Sequence, residues 1–247
     1  LEGLVTEDPV DLHPIPGVAE SWDISPDGKV YTFHLRANAK WSNGEPVTAR
    51  DYWESYKRVL MPSLASEYAY MHYVVKNAEA FNTGKITDFE QVGYKVIDDR
   101  TLQITLENPT VYFLSLINHD SWFPVHLPTV KKYGLPYDRN NKWTRPGHYI
   151  GNGPFVLEKW RVNDVIVMKK SPTYWDRDRV RLKEMRFYPI DSADTEERRF
   201  RSGQMHVTET VPLTKIDVYK KDHPDLIRID PYLGTYYYVI NVTKPPL

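Results

Sequence analysis

Tyr31-Thr32-Phe33-His34-Leu35-Arg36, the turn Ser42-Asn43-Gly44, and Thr48-Ala49-Arg50-Asp51-Tyr52-Trp53-Glu54-Ser55-Tyr56-Lys57-Arg58-Val59-Leu60 form the run whose reading decides the fold. In the first piece Tyr31, Phe33 and Leu35 alternate with polar residues, the period of a half-buried strand. In the last piece the period changes. Thr48 stands as an N-cap with Asp51 three residues on, and Tyr52, Trp53, Tyr56, Val59 and Leu60 fall on one helical face until Pro62 ends it. Strand, turn and amphipathic helix in quick succession predict a mixed α/β (α+β) chain.

The same signals continue on both sides. Ser25-Pro26-Asp27-Gly28 is a turn leading into the strand. A second helical stretch is expected from about Glu67 to Phe81, stopping near Gly84, with Tyr68, Met71, Val75 and Ala78 at helical spacing. Tyr94-Lys95-Val96-Ile97, the turn Asp98-Asp99-Arg100, and Leu102 to Leu106 read as a hairpin. Asn108-Pro109 opens a short apolar helix carrying Phe113, Leu114 and Ile117. From Leu127 to Tyr149 proline, glycine and asparagine interrupt every period, which makes this the best candidate boundary. Beyond it, Phe155 to Trp160 and Val165 to Lys169 read as a second hairpin, followed by a strand holding Met185 and Phe187. Ser192 or Asp194 caps a helix running to Gly203, Lys215 to Lys221 is a further short helix, and Thr235 to Asn241 is a last strand.

Composition removes several function classes. The chain of 247 residues carries 32 basic and 33 acidic residues, a balance that offers neither the basic stripe of a nucleic-acid binder nor a polybasic membrane patch. It has no cysteine, hence no disulfide, thiolate metal site or thiol nucleophile. Its 18 Tyr and 7 Trp join apolar faces to polar handles and suit wet, adaptable binding surfaces as well as a core.

Candidate chemistry is sparse. His119 and His126 are seven apart, which is no zinc spacing, and His34, His148, His206 and His223 read as structural or solvated. Gly151-Asn152-Gly153 lacks the remainder of a dinucleotide fingerprint and reads as a turn, and no phosphate-binding Gly-Lys-Ser/Thr loop occurs. Asp98-Asp99 and Glu196-Glu197 read as solvated carboxylates, since adjacent side chains point apart. No serine sits in a nucleophile elbow. These readings predict no catalytic residue, no metal and no cofactor. In Tyr236-Tyr237-Tyr238 the outer two rings share one side of a strand and Tyr237 takes the other, so that one side is core and the other is available to line a cleft.

Pro16-Gly17-Val18-Ala19-Glu20-Ser21-Trp22, Tyr31 to Arg36, and Ala39-Lys40-Trp41-Ser42-Asn43-Gly44-Glu45-Pro46-Val47-Thr48-Ala49 resemble the family 5 extracellular solute-binding proteins. So do Ile97 to Leu102, Asn152 to Phe155, Ser171-Pro172-Thr173-Tyr174-Trp175, Tyr188-Pro189-Ile190, Arg201-Ser202-Gly203 and Asp230 to Tyr238. The later matches look most like the oligopeptide-binding branch. The resemblance implies a periplasmic binding protein-like, two-lobed fold, here partial, because the family's usual chain is about twice as long. It implies that residues 1–127 are the small second domain, 128–233 the central segment of the first, and 234–247 a crossover strand towards a third.

The same resemblance implies capture of short peptides outside the cytoplasm, in the periplasm, by a monomer that delivers them to the membrane permease subunits of an ABC importer. Carried over position by position, Tyr68 and Tyr232 resemble aromatic residues bordering the peptide side-chain pockets. Glu209 aligns loosely with another pocket position, and Tyr237 joins them as the cleft-facing ring of the triple tyrosine. Val239 stands where close oligopeptide binders often carry an acidic residue. From the residues alone, a glycan-binding or glycan-processing protein, or a ligand-free structural module, remains the alternative, because exposed Trp and Tyr also stack on sugars.

Overall fold

The computed structural model describes the whole chain apart from residues 232, 233, 244, 246 and 247. The chain divides into two compact units, Leu1–Tyr188 and Pro189–Leu247.

In the first unit, β1 (Val5–Glu7) and β2 (Pro14–Pro16) form a short antiparallel pair. β3 (Ala19–Ile24) and β4 (Val30–Leu35) follow, then α1 (Ala49–Leu60), α2 (Ala78–Asn82), β5 (Tyr94–Asp98) and β6 (Thr101–Thr105). The four strands make one antiparallel sheet in the order β3-β4-β6-β5. Tyr31 stands opposite Ile104 and Phe33 opposite Leu102. All four side chains are buried, so the alternation in each strand supplies one inward face.

α1 packs on that face through Tyr52, Trp53, Tyr56 and Leu60, and Val59 is only half-buried at its margin. Its start is the capping box expected from the sequence. The Asp51 amide donates to Thr48 Oγ1 at 3.4 Å while the Thr48 amide donates to Asp51 Oδ2 at 2.7 Å, which satisfies two otherwise orphaned N–H groups.

The helix expected over 67–81 is not continuous. Pro62–Leu64 and Ala69–His72 are single 3-10 turns, and only Ala78–Asn82 is α-helical. The interruption has a tertiary cause. Val75 bridges Leu106, the Lys76 amide donates to the Thr105 carbonyl, and the Gly93 amide donates to the Lys76 carbonyl. Backbone groups that a helix would use internally are thus taken by the end of the sheet, and Asn77 turns the chain with φ of 61°. Gly93 is required here: a Cβ at this position would lie 2.2 Å from the Thr105 carbonyl oxygen.

α3 (Phe113–Leu116) buries Phe113, with Ile117 buried just past its end. α4 (Leu127–Lys132) is a short helix that the broken periodicity of 127–149 conceals, with Pro128 accommodated in its first turn. The second hairpin is present as β7 (Phe155–Arg161) and β8 (Val165–Lys170), with β9 (Glu184–Phe187) added antiparallel. The candidate boundary at 127/128 lies inside the first unit. The stretch beyond it is tied back to the chain's start: Asn152 Oδ1 accepts from the Glu2 amide and its Nδ2 donates to the Glu2 carbonyl, both at 2.9 Å. The Glu2 carboxylate accepts from Tyr174 Oη and Trp175 Nε1, each at 2.6 Å, while Arg36 lies over the Trp175 ring. Burial still pushes the Glu2 carboxyl above the usual range, against these two donors.

The second unit holds α5 (Ala193–Arg201), capped by Ser192, and α6 (Ile216–Asp222). Residues 235–241, expected as a strand, form no strand and have no ladder partner among the described residues. A lone strand leaves its amides and carbonyls to water and gains no sheet energy. No helix among the described residues is long and apolar enough to cross a membrane.

Candidate functional site

The 3-10 turn Ala69–His72 places Tyr68. With three residues per turn, Ala69 and His72 point the same way and both are buried, which leaves Tyr68 and Tyr70 about half exposed. His72 anchors the turn. Its ring stacks on Trp122 at 3.9 Å, its Nδ1 meets Tyr94 Oη at 2.8 Å, and its Nε2 donates to the Ser121 carbonyl at 3.2 Å. Burial lowers its pKa to about 3, so the ring is neutral, and the Ser121 carbonyl places its proton on Nε2.

Above this anchor the Tyr68 ring lies 4.8 Å from His119 and 6.2 Å from Tyr70. His119 is oriented in turn, because its Nδ1 accepts from the Ser121 amide at 3.2 Å and meets the Ser121 hydroxyl at 2.9 Å. Tyr70 also borders a shallow groove of about 520 Å³ with Tyr73, Glu107, Pro109, Val111 and Tyr112. The result is an aromatic surface with a rigid base, suited to stacking and van der Waals contact around polar tips. Fifty-one positions separate Tyr68 from His119, and no local pattern in the sequence connects the two.

The two histidines singled out by their spacing act apart. His126 Nε2 meets Glu45 Oε2 at 2.6 Å and its Nδ1 meets Thr129 Oγ1 at 2.7 Å, so it pins the start of α4 to the 42–46 turn. Asp8, Asp11 and His13 converge between β1 and β2, with possible ligand atoms within 4.8 Å of one another. This convergence escaped the sequence reading. Asp11 already accepts from the His13 backbone and faces its ring nitrogen, so the group satisfies itself.

In the second unit Glu209 is exposed and borders a cavity of about 540 Å³ with Glu197, Phe200, Leu213, Tyr219 and Ile227. Its amide donates to Glu196 Oε1 at 3.0 Å. The solvated-face reading of Glu196-Glu197 is corrected here, because both are buried. Glu197 binds Lys215 Nζ at 2.6 Å and Tyr219 Oη at 2.9 Å, and the Lys215 contact holds its carboxyl below the usual range. The two carboxylates serve the packing of α5 and α6 as separate hydrogen-bond acceptors.

Tyr237 is exposed, as are Tyr236 and Tyr238, so neither side of the triple tyrosine is core. The rings of Tyr236 and Tyr238 lie 5.4 Å apart, edge to face. Tyr232 lies outside the described residues.

A profile of the bacterial extracellular solute-binding proteins, family 5 middle, matches residues 13–247. The chain belongs to this family. Among the family 5 proteins it is 44% identical to the periplasmic oligopeptide-binding protein OppA of Escherichia coli K12, over 99% of this chain and 44% of OppA. The periplasmic murein peptide-binding protein MppA of the same organism is 36% identical over 94% of this chain and 42% of its own length. The solved structure of the Escherichia coli murein tripeptide-binding protein MppA superposes with a TM-score of 0.84 at 34% identity, covering 91% of this chain and 42% of that one. Haemophilus influenzae OppA in complex with RPPGFSPFR gives 0.83 at 34% identity, over 90% and 42%. The chain therefore spans less than half the length of these family 5 relatives, and the partial periplasmic binding protein-like fold expected from the sequence is the fold observed.

Proposed function

We propose that this chain is part of a protein that captures short peptides outside the cytoplasm, in the periplasm, and delivers them to the permease subunits of an ABC importer. The observation that carries this reading is the match over almost the entire chain to proteins named for oligopeptide and murein-peptide binding. On this reading the protein acts as a monomer by binding and release, and no residue turns over substrate. Residues 1–127 form the small second domain, 128–233 the central segment of the first, and 234–247 the crossover towards a third. Tyr68 is a pocket wall, with Tyr232, Glu209 and Tyr237 as further ligand-facing positions. Main-chain hydrogen bonds hold the peptide backbone while hydrated pockets accept varied side chains.

The test is calorimetric titration of the intact protein containing this chain with tripeptides and, in parallel, with oligosaccharides. Peptide binding without sugar binding is expected. Tyr68→Ala removes an aromatic wall of about 1–3 kcal/mol, a roughly five- to hundredfold loss of affinity. Its melting temperature should stay unchanged, since half the ring is already in water. Lost stability with unaltered affinity rejects Tyr68 as a site residue, and sugar binding without peptide binding rejects the function.

A further inference from the structure

The sequence contains two Asn-Gly steps, Asn43-Gly44 and Asn152-Gly153, and the fold treats them oppositely. Glycine after asparagine leaves the next backbone nitrogen sterically open to attack the asparagine side-chain carbonyl. Asn152 is closed to this chemistry. It is buried, both of its amide atoms are bonded to the Glu2 backbone, and Gly153 is packed against the backbone of Leu1.

Asn43 is exposed, and no heavy atom lies within 4 Å of where a Gly44 Cβ would stand. Its Oδ1 accepts from the Glu45 amide at 3.1 Å, which withdraws electron density from the carbonyl carbon, and its side chain also faces the Glu45 carboxylate. One contact opposes reaction: the Gly44 amide donates to the Trp41 carbonyl at 2.9 Å and must be released first.

We propose that Asn43 is a site of spontaneous covalent modification, deamidating through a cyclic imide with Gly44, while Asn152 is protected by its burial. The Gly44 nitrogen loses its proton to solvent and bonds to Asn43 Cγ, the Cγ–Nδ2 bond breaks, and ammonia leaves. Water then opens the imide at either carbonyl, giving an aspartyl or an isoaspartyl residue at position 43.

Position matters because this turn is a tether. Trp41 is buried on one side of it, Lys40 bridges Pro46 across its base, and Glu45 holds His126 at the start of α4. An isoaspartyl link inserts an extra backbone carbon between positions 43 and 44 and shifts Glu45 against His126. An aspartyl product sets a second carboxylate beside Glu45. Either product weakens the tie between the turn and α4.

The experiment is peptide mapping of the folded chain after incubation at mildly alkaline pH and body temperature. Trypsin releases Asn43 in the peptide Trp41–Arg50 and Asn152 in the peptide Trp143–Lys159. A gain of one dalton, with an isoaspartyl isomer resolved by chromatography, is expected in the first peptide. It should form at least about tenfold faster than in the second, which reacts only through opening of its buried contacts. In urea both peptides should convert. Asn43→Gln, whose longer side chain closes the ring poorly, should abolish the gain, and Glu45→Gln, which loosens the turn, should speed it. Conversion of both peptides at equal rates in the folded chain overturns the proposal, as does conversion at Asn43 only in urea.

Discussion

His72 should make this protein acid-sensitive in a way that one substitution removes. The ring is fully buried against Trp122, with Nε2 donating to the Ser121 carbonyl and Nδ1 accepting from Tyr94 Oη. A second proton charges a group that has no water around it and takes from Tyr94 its acceptor. The pKa therefore falls from 6.5 to about 3 in the folded chain, with burial as the main cause. Between these values the unfolded chain binds more protons than the folded one, so stability is full above about pH 6.5 and is lost as pH falls. Each pH unit costs about 1.4 kcal/mol, hence about 3 kcal/mol by roughly pH 4.5 and about 5 kcal/mol over the whole interval.

Urea midpoints measured across that interval would show the slope. His72→Phe keeps a stacked ring and removes the titration. It should cost roughly 1–3 kcal/mol at neutral pH by stranding Tyr94 Oη and the Ser121 carbonyl, yet flatten the slope. Adding Tyr94→Phe should recover part of the neutral-pH loss without restoring the slope. Equal slopes in the wild type and in His72→Phe refute the reasoning, because the acid sensitivity would then belong to other groups.

Two further outcomes test the local arguments. Thr48→Ala removes one half of the α1 capping box and should lower stability by about 1 kcal/mol, with Thr48→Ser recovering most of it in urea denaturation. Gly93→Ala forces a Cβ to within 2.2 Å of the Thr105 oxygen and about 3 Å from Lys76 and Val75 side-chain atoms. A loss of about 3 kcal/mol is expected from displaced backbone, read as a large fall in melting temperature, and an unchanged melting temperature contradicts the close approach.

The sequence by itself determined the pieces whose causes are local. Alternation in Tyr31–Leu35 and in Leu102–Leu106 reports a half-buried strand wherever the sheet stands, and Thr48 with Asp51 caps α1 through bonds spanning three residues. Family membership was legible for a related reason, since its motif runs are turns and element ends whose backbone needs particular residues. Tyr68 was marked out by that resemblance alone. What holds it, the His72–Tyr94–Trp122 stack and the neighbouring His119, joins residues far apart in the chain, and no periodicity encodes such a contact.

Tertiary structure also overruled local preference where backbone groups had a better partner elsewhere. The apolar spacing of 67–81 is helical, yet the Lys76 amide donates to the Thr105 carbonyl and the Val74 carbonyl accepts from the Glu107 amide at the end of the sheet. Glu196 and Glu197 look solvated in a charged helix, yet Lys215, Tyr219 and the Glu209 amide supply the donors that make their burial affordable. Residues 235–241 have the composition of a strand and no ladder among the described residues. A helix or a cap is completed by its neighbours in sequence, whereas a strand or a buried charge is completed only by a partner that the fold brings to it.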